Sequence, residues 1–180
     1  MALPPRLFCD TSFFYACFDQ HDVNHQQADD HSKEAAALGS RLYVTWDIIS
    51  ETLTLLRYRR SYREALTFLA EIKPRLHIVN YADNVRAEAE QIFRRYGRDH
   101  KLSFCDAISF VVVTTLLDDI PSLAFDDDFR ALVYCPIVPL IYNYDESCPT
   151  RHENSACHRI LRGGTSSEEN IGLTANVKKR

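Results

Sequence analysis

The chain of 180 residues is poor in glycine and has no glycine-rich phosphate loop. It contains only five Gly, and none of them falls in the spacing that cradles a phosphate or a dinucleotide, which argues against a nucleotide-binding α/β fold. The sequence also lacks a secretory signal and a long apolar run, and its six Cys are scattered among apolar stretches. We therefore expect a protein of the reducing cytoplasm that has no membrane contact.

The chain also lacks an excess of positive charge. Its net charge is -4 at pH 7, which gives no overall attraction to nucleic acid. Two local basic clusters nevertheless occur, in the runs RYRRSYR and FRRYGR. The first cluster is interleaved with tyrosines, so it could follow a phosphate backbone and stack a base, or it could equally be a solvated helix end. The candidate RNA contacts in the two clusters are Arg57, Arg59, Arg60, Arg63, Arg94, Arg95 and Arg98.

Short apolar strands alternate with helical segments along the chain. With 46% hydrophobic residues, the sequence is rich enough to bury the core of one globular domain. The most apolar segment is residues 101–119, KLSFCDAISFVVVTTLLDD, which predicts a central helix capped by Ser103. Strands are predicted at residues 6–10, 41–45, 76–80 and 122–125, with a final edge strand at residues 133–142. This alternation indicates an α/β fold with a mostly parallel sheet.

Four acidic residues occupy positions where a solvent-exposed acid is not expected. Asp10 and Asp126 follow predicted strands, Asp106 lies in the first turn of the central helix, and Glu51 falls on the apolar face of another helix. Each also has a local explanation. Asp10 could be a helix N-cap, Asp106 could form a capping box, and Glu51 could be a buried acid paired with an Arg.

Carboxylates from four segments are expected to converge on one edge of the sheet. So many acids within a few ångströms repel one another unless cations neutralise them, and oxygen ligands suit Mg²⁺ or Mn²⁺. Two such ions roughly 3.5–4 Å apart can activate a water and stabilise the leaving oxygen of a phosphodiester. The acids therefore indicate a metal-dependent phosphodiesterase.

Four short motifs make the chain resemble a PIN domain, most closely the VapC-type ribonuclease toxins. They are LFCDTSFF, VTWDIISETLTLL, LSFCDAISF and LAFDDDF, in the order and at the approximate spacing of that family. The resemblance covers residues 6–142. The chain departs from the family at Ala124, where Thr or Ser is usual, which leaves the hydrogen bonding around the fourth acid open.

The resemblance implies a three-layer α/β/α sandwich, RNA cleavage with Mg²⁺ or Mn²⁺, a homodimer and neutralisation by a small antitoxin protein. The chain becomes polar and, in places, rich in Gly and Ser from Asp145, so we expect the nuclease domain at residues 1–144 and a polar, flexible tail at residues 145–180. The implied catalytic residues are Asp10, Glu51, Asp106 and Asp126. The implied metal ligands are Asp10, Asp106, Asp126 and Asp128, and the choice between Asp126 and Asp128 as the fourth acid stays open.

Other classes fit the motifs less well. A haloacid-dehalogenase-type phosphatase needs a second Asp two residues after the first, where this chain has Ser12. A response-regulator receiver needs a pair of adjacent acids near its start. The strongest alternative is a PIN-like domain without activity that serves as an RNA-binding or scaffold module.

Overall fold

The described residues form a parallel sheet of four strands. The computed structural model describes residues 2–98 and 101–126. The strands are β1 (Arg6–Cys9), β2 (Arg41–Val44), β3 (His77–Ile78) and β4 (Ser122–Leu123). Their order in the sheet is β3-β2-β1-β4, and every pairing is parallel.

Helices connect and flank these strands, so the predicted three-layer α/β/α architecture with a parallel sheet is confirmed. They are α1 (Thr11–Phe18), α2 (His25–Leu38), α3 (Trp46–Leu55), α4 (Tyr62–Thr67), α5 (Asp83–Tyr96) and α6 (Phe104–Leu116). Helix α3 continues as a π-helix at Leu56–Arg60, and α4 continues as a π-helix at Phe68–Ile72 and a 3₁₀ turn at Lys73–Arg75.

Helix α6 is the buried helix that the apolar run predicted. All eight residues from Asp106 to Val113 are buried, and α6 packs along α5. The helix is shorter than residues 101–119 because Ser103 caps its start and the chain leaves helical geometry after Leu116. Asp118 and Asp119 follow with φ of 56° and 55°, a left-handed conformation that ends a helix.

Other predicted boundaries are off by a few residues. β3 has two residues instead of five, and β4 has two instead of four. Pro74 lies within the 3₁₀ turn that closes the α4 segment, where the missing N–H is tolerated. The predicted strand at residues 133–142 and the tail at residues 145–180 lie outside the described residues. None of the described helices has the length and apolar character to span a membrane.

Candidate metal centre

The strand order places the carboxyl ends of β1 and β4 at a switch point. The chain moves from β1 through β2 to β3 in one direction, then returns to β4 on the other side of β1. Connections diverge at such a point and leave a crevice, which is where open α/β sheets bind ligands. Asp10 follows β1 directly, and its N–H donates to the carbonyl of Leu123, the last residue of β4, at 3.0 Å. Asp126 comes three residues after the end of β4. Two of the predicted acids therefore meet here.

Asp10 is buried, and its two carboxylate oxygens have different surroundings. Its side chain is the N-cap of α1, as the local explanation predicted. Oδ2 accepts the Ser12 N–H at 2.9 Å and the Ser12 hydroxyl at 2.6 Å. Among the described residues, no hydrogen-bond donor reaches the buried Oδ1. Leaving a buried polar atom without a donor is costly, so Oδ1 is open to a ligand that the described residues do not supply.

Asp106 enters the same crevice from the first turn of α6. The predicted capping box is present: Ser103 N–H donates to Asp106 Oδ2 at 2.8 Å, and Asp106 N–H donates to Ser103 Oγ at 3.1 Å. The box holds one carboxylate oxygen and fixes the direction of the side chain. The local and functional explanations of Asp106 are thus compatible.

The third acid, Asp126, completes a cluster. Asp10, Asp106 and Asp126 each offer one carboxylate oxygen, and these atoms all lie within 4.8 Å of one another. Burial, followed by the charge of Asp126, raises the pKa of Asp10 to about 8. Burial raises the pKa of Asp106 to about 6, although the Ser103 hydrogen bonds oppose it. Burial and mutual repulsion therefore both oppose ionisation of the cluster.

A hard divalent cation fits this donor set. The converging atoms are all carboxylate oxygens, the ligands that Mg²⁺ and Mn²⁺ prefer. A cation would satisfy Asp10 Oδ1 and offset both the burial and the repulsion that raise the two pKa values. Ser12 and Ser103 donate hydrogen bonds to Oδ2 of Asp10 and of Asp106, and these bonds would hold the two carboxylates in position to bind a cation.

Comparison with known proteins agrees with this fold. Residues 7–133 match the model of the PIN domain family. The chain belongs to that family. Over 110 residues it is 31% identical to the VapC ribonuclease of Archaeoglobus fulgidus, which covers 59% of this chain and 69% of the relative. It also resembles the crystal structure of Mycobacterium tuberculosis VapC20, a toxin that cleaves the sarcin-ricin loop, with a TM-score of 0.60 and 27% identity over 69% of this chain and 93% of that one.

Glu51 lies at the edge of the acidic cluster of this PIN domain. It is half-buried and accepts the Thr11 hydroxyl at 2.7 Å, so a hydroxyl from α1 contacts it where the local explanation expected an Arg. Its charge helps to raise the pKa of Asp106. Burial, followed by Glu51, also raises the pKa of Cys105, so that thiol stays protonated and is a poor nucleophile.

The remaining predicted site residues have varied surroundings. Asp128 lies outside the described residues. In the first basic cluster, Arg60 is half-buried and pairs with Asp19 at 2.9 Å and Glu64 at 3.3 Å, so it holds the fold together. Arg57 stacks on Tyr62, while Arg59 and Arg63 are exposed. In the second cluster, Arg94 pairs with Glu90, Arg95 stacks on Tyr96, and Arg98 is exposed.

Sequence reasoning missed the role of Ser12. Its hydroxyl donates to Asp10 Oδ2 and accepts the Phe125 N–H at 2.9 Å. Ser12 therefore joins the Asp10 carboxylate to the backbone next to Asp126. Ser12 thus places a hydroxyl beside the segment that leads to Asp126, in which Ala124 has none. The D-T-S motif was the available signal, because a Ser two residues after a buried Asp can bond back to it.

We expect Ser12→Ala to weaken Mn²⁺ binding by about 10–100-fold, the usual effect of losing a partner that orients a metal ligand. Ser12→Thr keeps the hydroxyl and should restore the affinity, whereas Ser32→Ala, a change on α2, should have no effect. Calorimetric titration with Mn²⁺ measures this, and thermal unfolding of the metal-free variants reports any loss of fold. Equal Mn²⁺ affinity in Ser12→Ala and the parent would remove Ser12 from the site.

Proposed function

We propose that this PIN domain is a Mg²⁺- or Mn²⁺-dependent endoribonuclease that hydrolyses single-stranded or loop RNA. The observation that carries the proposal is the convergence of Asp10, Asp106 and Asp126, with a buried oxygen of Asp10 that has no donor among the described residues. The two relatives support the choice of RNA over other phosphodiesters, because one is named a ribonuclease and the other cleaves an RNA loop.

In this proposal the acids have separate tasks. Asp10, Asp106 and Asp126 bind the cation, with Asp128 as a further candidate ligand, and Glu51 orients the attacking water from the edge of the cluster. A bound cation would lower the pKa of a coordinated water and neutralise negative charge on the phosphate. The water oxygen bonds to phosphorus while the bond from phosphorus to the 3′-oxygen breaks and that oxygen takes up a proton. No Ser, His or Cys nucleophile is required.

The proposal extends to partners and chain organisation by analogy with VapC proteins. We infer that the chain is the toxin of a toxin–antitoxin pair, that it acts as a homodimer, and that a small antitoxin protein neutralises it. The nuclease domain would occupy residues 1–144, followed by a tail at residues 145–180. Co-expression with the product of a neighbouring small reading frame tests the antitoxin, and light scattering tests the dimer.

Product chemistry tests the reaction. Direct attack by water leaves a 5′-phosphate and a 3′-hydroxyl, whereas attack by the neighbouring 2′-hydroxyl would leave a 2′,3′-cyclic phosphate. We expect end-labelled RNA incubated with the protein and Mg²⁺ or Mn²⁺ to yield 5′-phosphate ends, and EDTA to stop the cleavage. Cyclic phosphate ends, or cleavage that survives EDTA, would contradict the mechanism. RNA binding without cleavage in any metal would favour the inactive RNA-binding module.

Charge reversal tests whether either basic cluster contacts RNA. We expect Arg57→Glu with Arg59→Glu to weaken RNA binding and to reduce the slope of log affinity against log salt by about 0.7 for each phosphate that the variant no longer neutralises. Arg94→Glu with Arg98→Glu is the matched test of the second cluster. Arg60 is left intact because its ion pairs hold α4 and the α1 end together. If the slope of log affinity against log salt is unchanged in both variants, neither cluster contacts the RNA phosphates.

A further inference from the structure

An open groove leads away from the acidic cluster along α3. It has a volume of about 410 Å³ and is lined by Asp47, Ser50, Glu51, Thr54, Leu55, Tyr58 and Arg59. These positions recur at three- and four-residue spacing, so they form one face of the helix. From Asp47 to Tyr58 the face runs about 16 Å at roughly 1.5 Å per residue. Glu51 belongs both to this face and to the surroundings of the acidic cluster, which connects the groove to the reaction centre.

The far end of the groove is built for stacking. Tyr58 is 83% exposed, and Arg59 beside it is also exposed. Both belong to the π-helix Leu56–Arg60, a rare geometry that recurs at functional sites. An exposed aromatic ring next to a guanidinium offers a base a face to stack on and a phosphate a charge to bind.

The near end of the groove offers hydrogen-bond acceptors. Asp47 and Glu51 carry carboxylates there, and ionised carboxylates only accept. The Tyr81 hydroxyl donates to Asp47 Oδ2 at 2.5 Å and so fixes the direction of that side chain. Cations border this end as well, because Lys73 stacks on Trp46, next to Asp47 in the chain, and Arg86 stacks on Tyr81.

We infer that this groove binds successive nucleotides of the RNA next to the scissile phosphate: a base at the far end stacks on Tyr58, and a base at the near end presents an exocyclic amine that Asp47 selects. The inference rests on the proposed ribonuclease function. Cytosine and adenine present an amine that a carboxylate accepts, and guanine presents one at N2. Uracil instead presents a carbonyl oxygen in that place, and a carboxylate repels it. The groove should therefore discriminate against uridine.

Oligocytidylate and oligouridylate of equal length are the matched probes, because their bases differ chiefly in the amine. Anisotropy titrations in EDTA measure binding without any cleavage. We expect the parent to bind oligocytidylate about tenfold more tightly than oligouridylate. Tyr58→Ala should weaken both by about tenfold, the usual effect of removing a stacking ring, and Tyr58→Phe should restore them. Val23→Ala, at a side chain that is 95% exposed on another part of the surface, is the control.

Asp47→Asn tests the base selection separately. The amide keeps an acceptor oxygen for Tyr81 and adds a donor that uracil can use, so the preference for oligocytidylate should fall to near equality. In cleavage assays Tyr58→Ala should raise KM and leave kcat close to the parent value.

The outcomes separate this inference from the proposed reaction. Normal cleavage with binding unaffected by Tyr58→Ala would overturn the groove and leave the reaction standing. The predicted binding changes without cleavage in any metal would support the groove and remove the reaction. A basic peptide that occupies the groove while Tyr58→Ala leaves RNA binding unchanged would assign it to a protein partner and overturn the inference.

Discussion

Replacing Asp10 and Asp106 together by Asn should abolish both Mn²⁺ binding and RNA cleavage. The two side chains contribute carboxylate oxygens from separate elements to one cluster. The Asn amide has only one acceptor oxygen and no negative charge, so it is a poor substitute for either carboxylate. Loss of the cation removes several kcal/mol of transition-state stabilisation, so cleavage should fall by about a thousandfold or more. Calorimetry with Mn²⁺ and single-turnover cleavage of labelled RNA provide the two measurements.

The matched control changes two exposed acids, with Asp30→Asn and Asp118→Asn in one chain. It removes the same number of charges from the protein but leaves the cluster intact, so binding and cleavage should persist. A double Asp10, Asp106 variant that still binds Mn²⁺ as tightly as the parent would show that the metal centre lies elsewhere. Retained binding with lost cleavage would instead limit these acids to the chemical step.

The metal-free protein should lose stability as the pH rises from about 4 to about 8. Burial and the charge of Asp126 raise the pKa of Asp10 from 3.8 to about 8, and burial raises the pKa of Asp106 from 3.8 to about 6. Well below pH 3.8 both carboxyls are protonated in the folded and unfolded states, so they contribute no pH dependence there. Above it the unfolded chain releases these protons first, which favours unfolding until pH 8 is passed.

The expected decrease in the free energy of unfolding across that range is roughly 3–6 kcal/mol for Asp10, because each pKa unit corresponds to about 1.4 kcal/mol. Urea unfolding of the metal-free protein at a series of pH values measures it. The Asp10→Asn, Asp106→Asn variant should have a flatter profile and should be more stable than the parent near pH 8. Lower stability of that variant at pH 8 would indicate that the acids act as structural ion pairs.

Addition of Mn²⁺ should reverse this profile. The cation binds the ionised carboxylates, so binding must displace their protons and its affinity should rise between pH 6 and pH 8. The stabilisation by Mn²⁺ should therefore be largest where the metal-free protein is weakest. An affinity that does not vary with pH would place the bound ion away from Asp10.

Much of the fold could be predicted because local rules and burial point the same way. The apolar run around Val111 forms the central helix, Ser103 caps it, and Gly39 ends α2 in a left-handed conformation. Boundaries were less accurate at β3 and β4, since hydrogen-bonded pairing with β2 and β1 sets the length of these strands and depends on residues distant in the chain.

The composition and order of the motifs by themselves determined the fold class, the family and three acids of the cluster, because a carboxylate at the end of an apolar strand or on an apolar helix face needs a partner. The local caps made by Asp10 and Asp106 could be predicted, but only the tertiary structure decided the contacts between distant segments. It gave Glu51 the Thr11 hydroxyl, placed Arg60 in structural ion pairs, and made Ser12 a bridge to Phe125. These contacts join residues 40 to 113 positions apart in the chain, and periodicity and spacing describe only near neighbours.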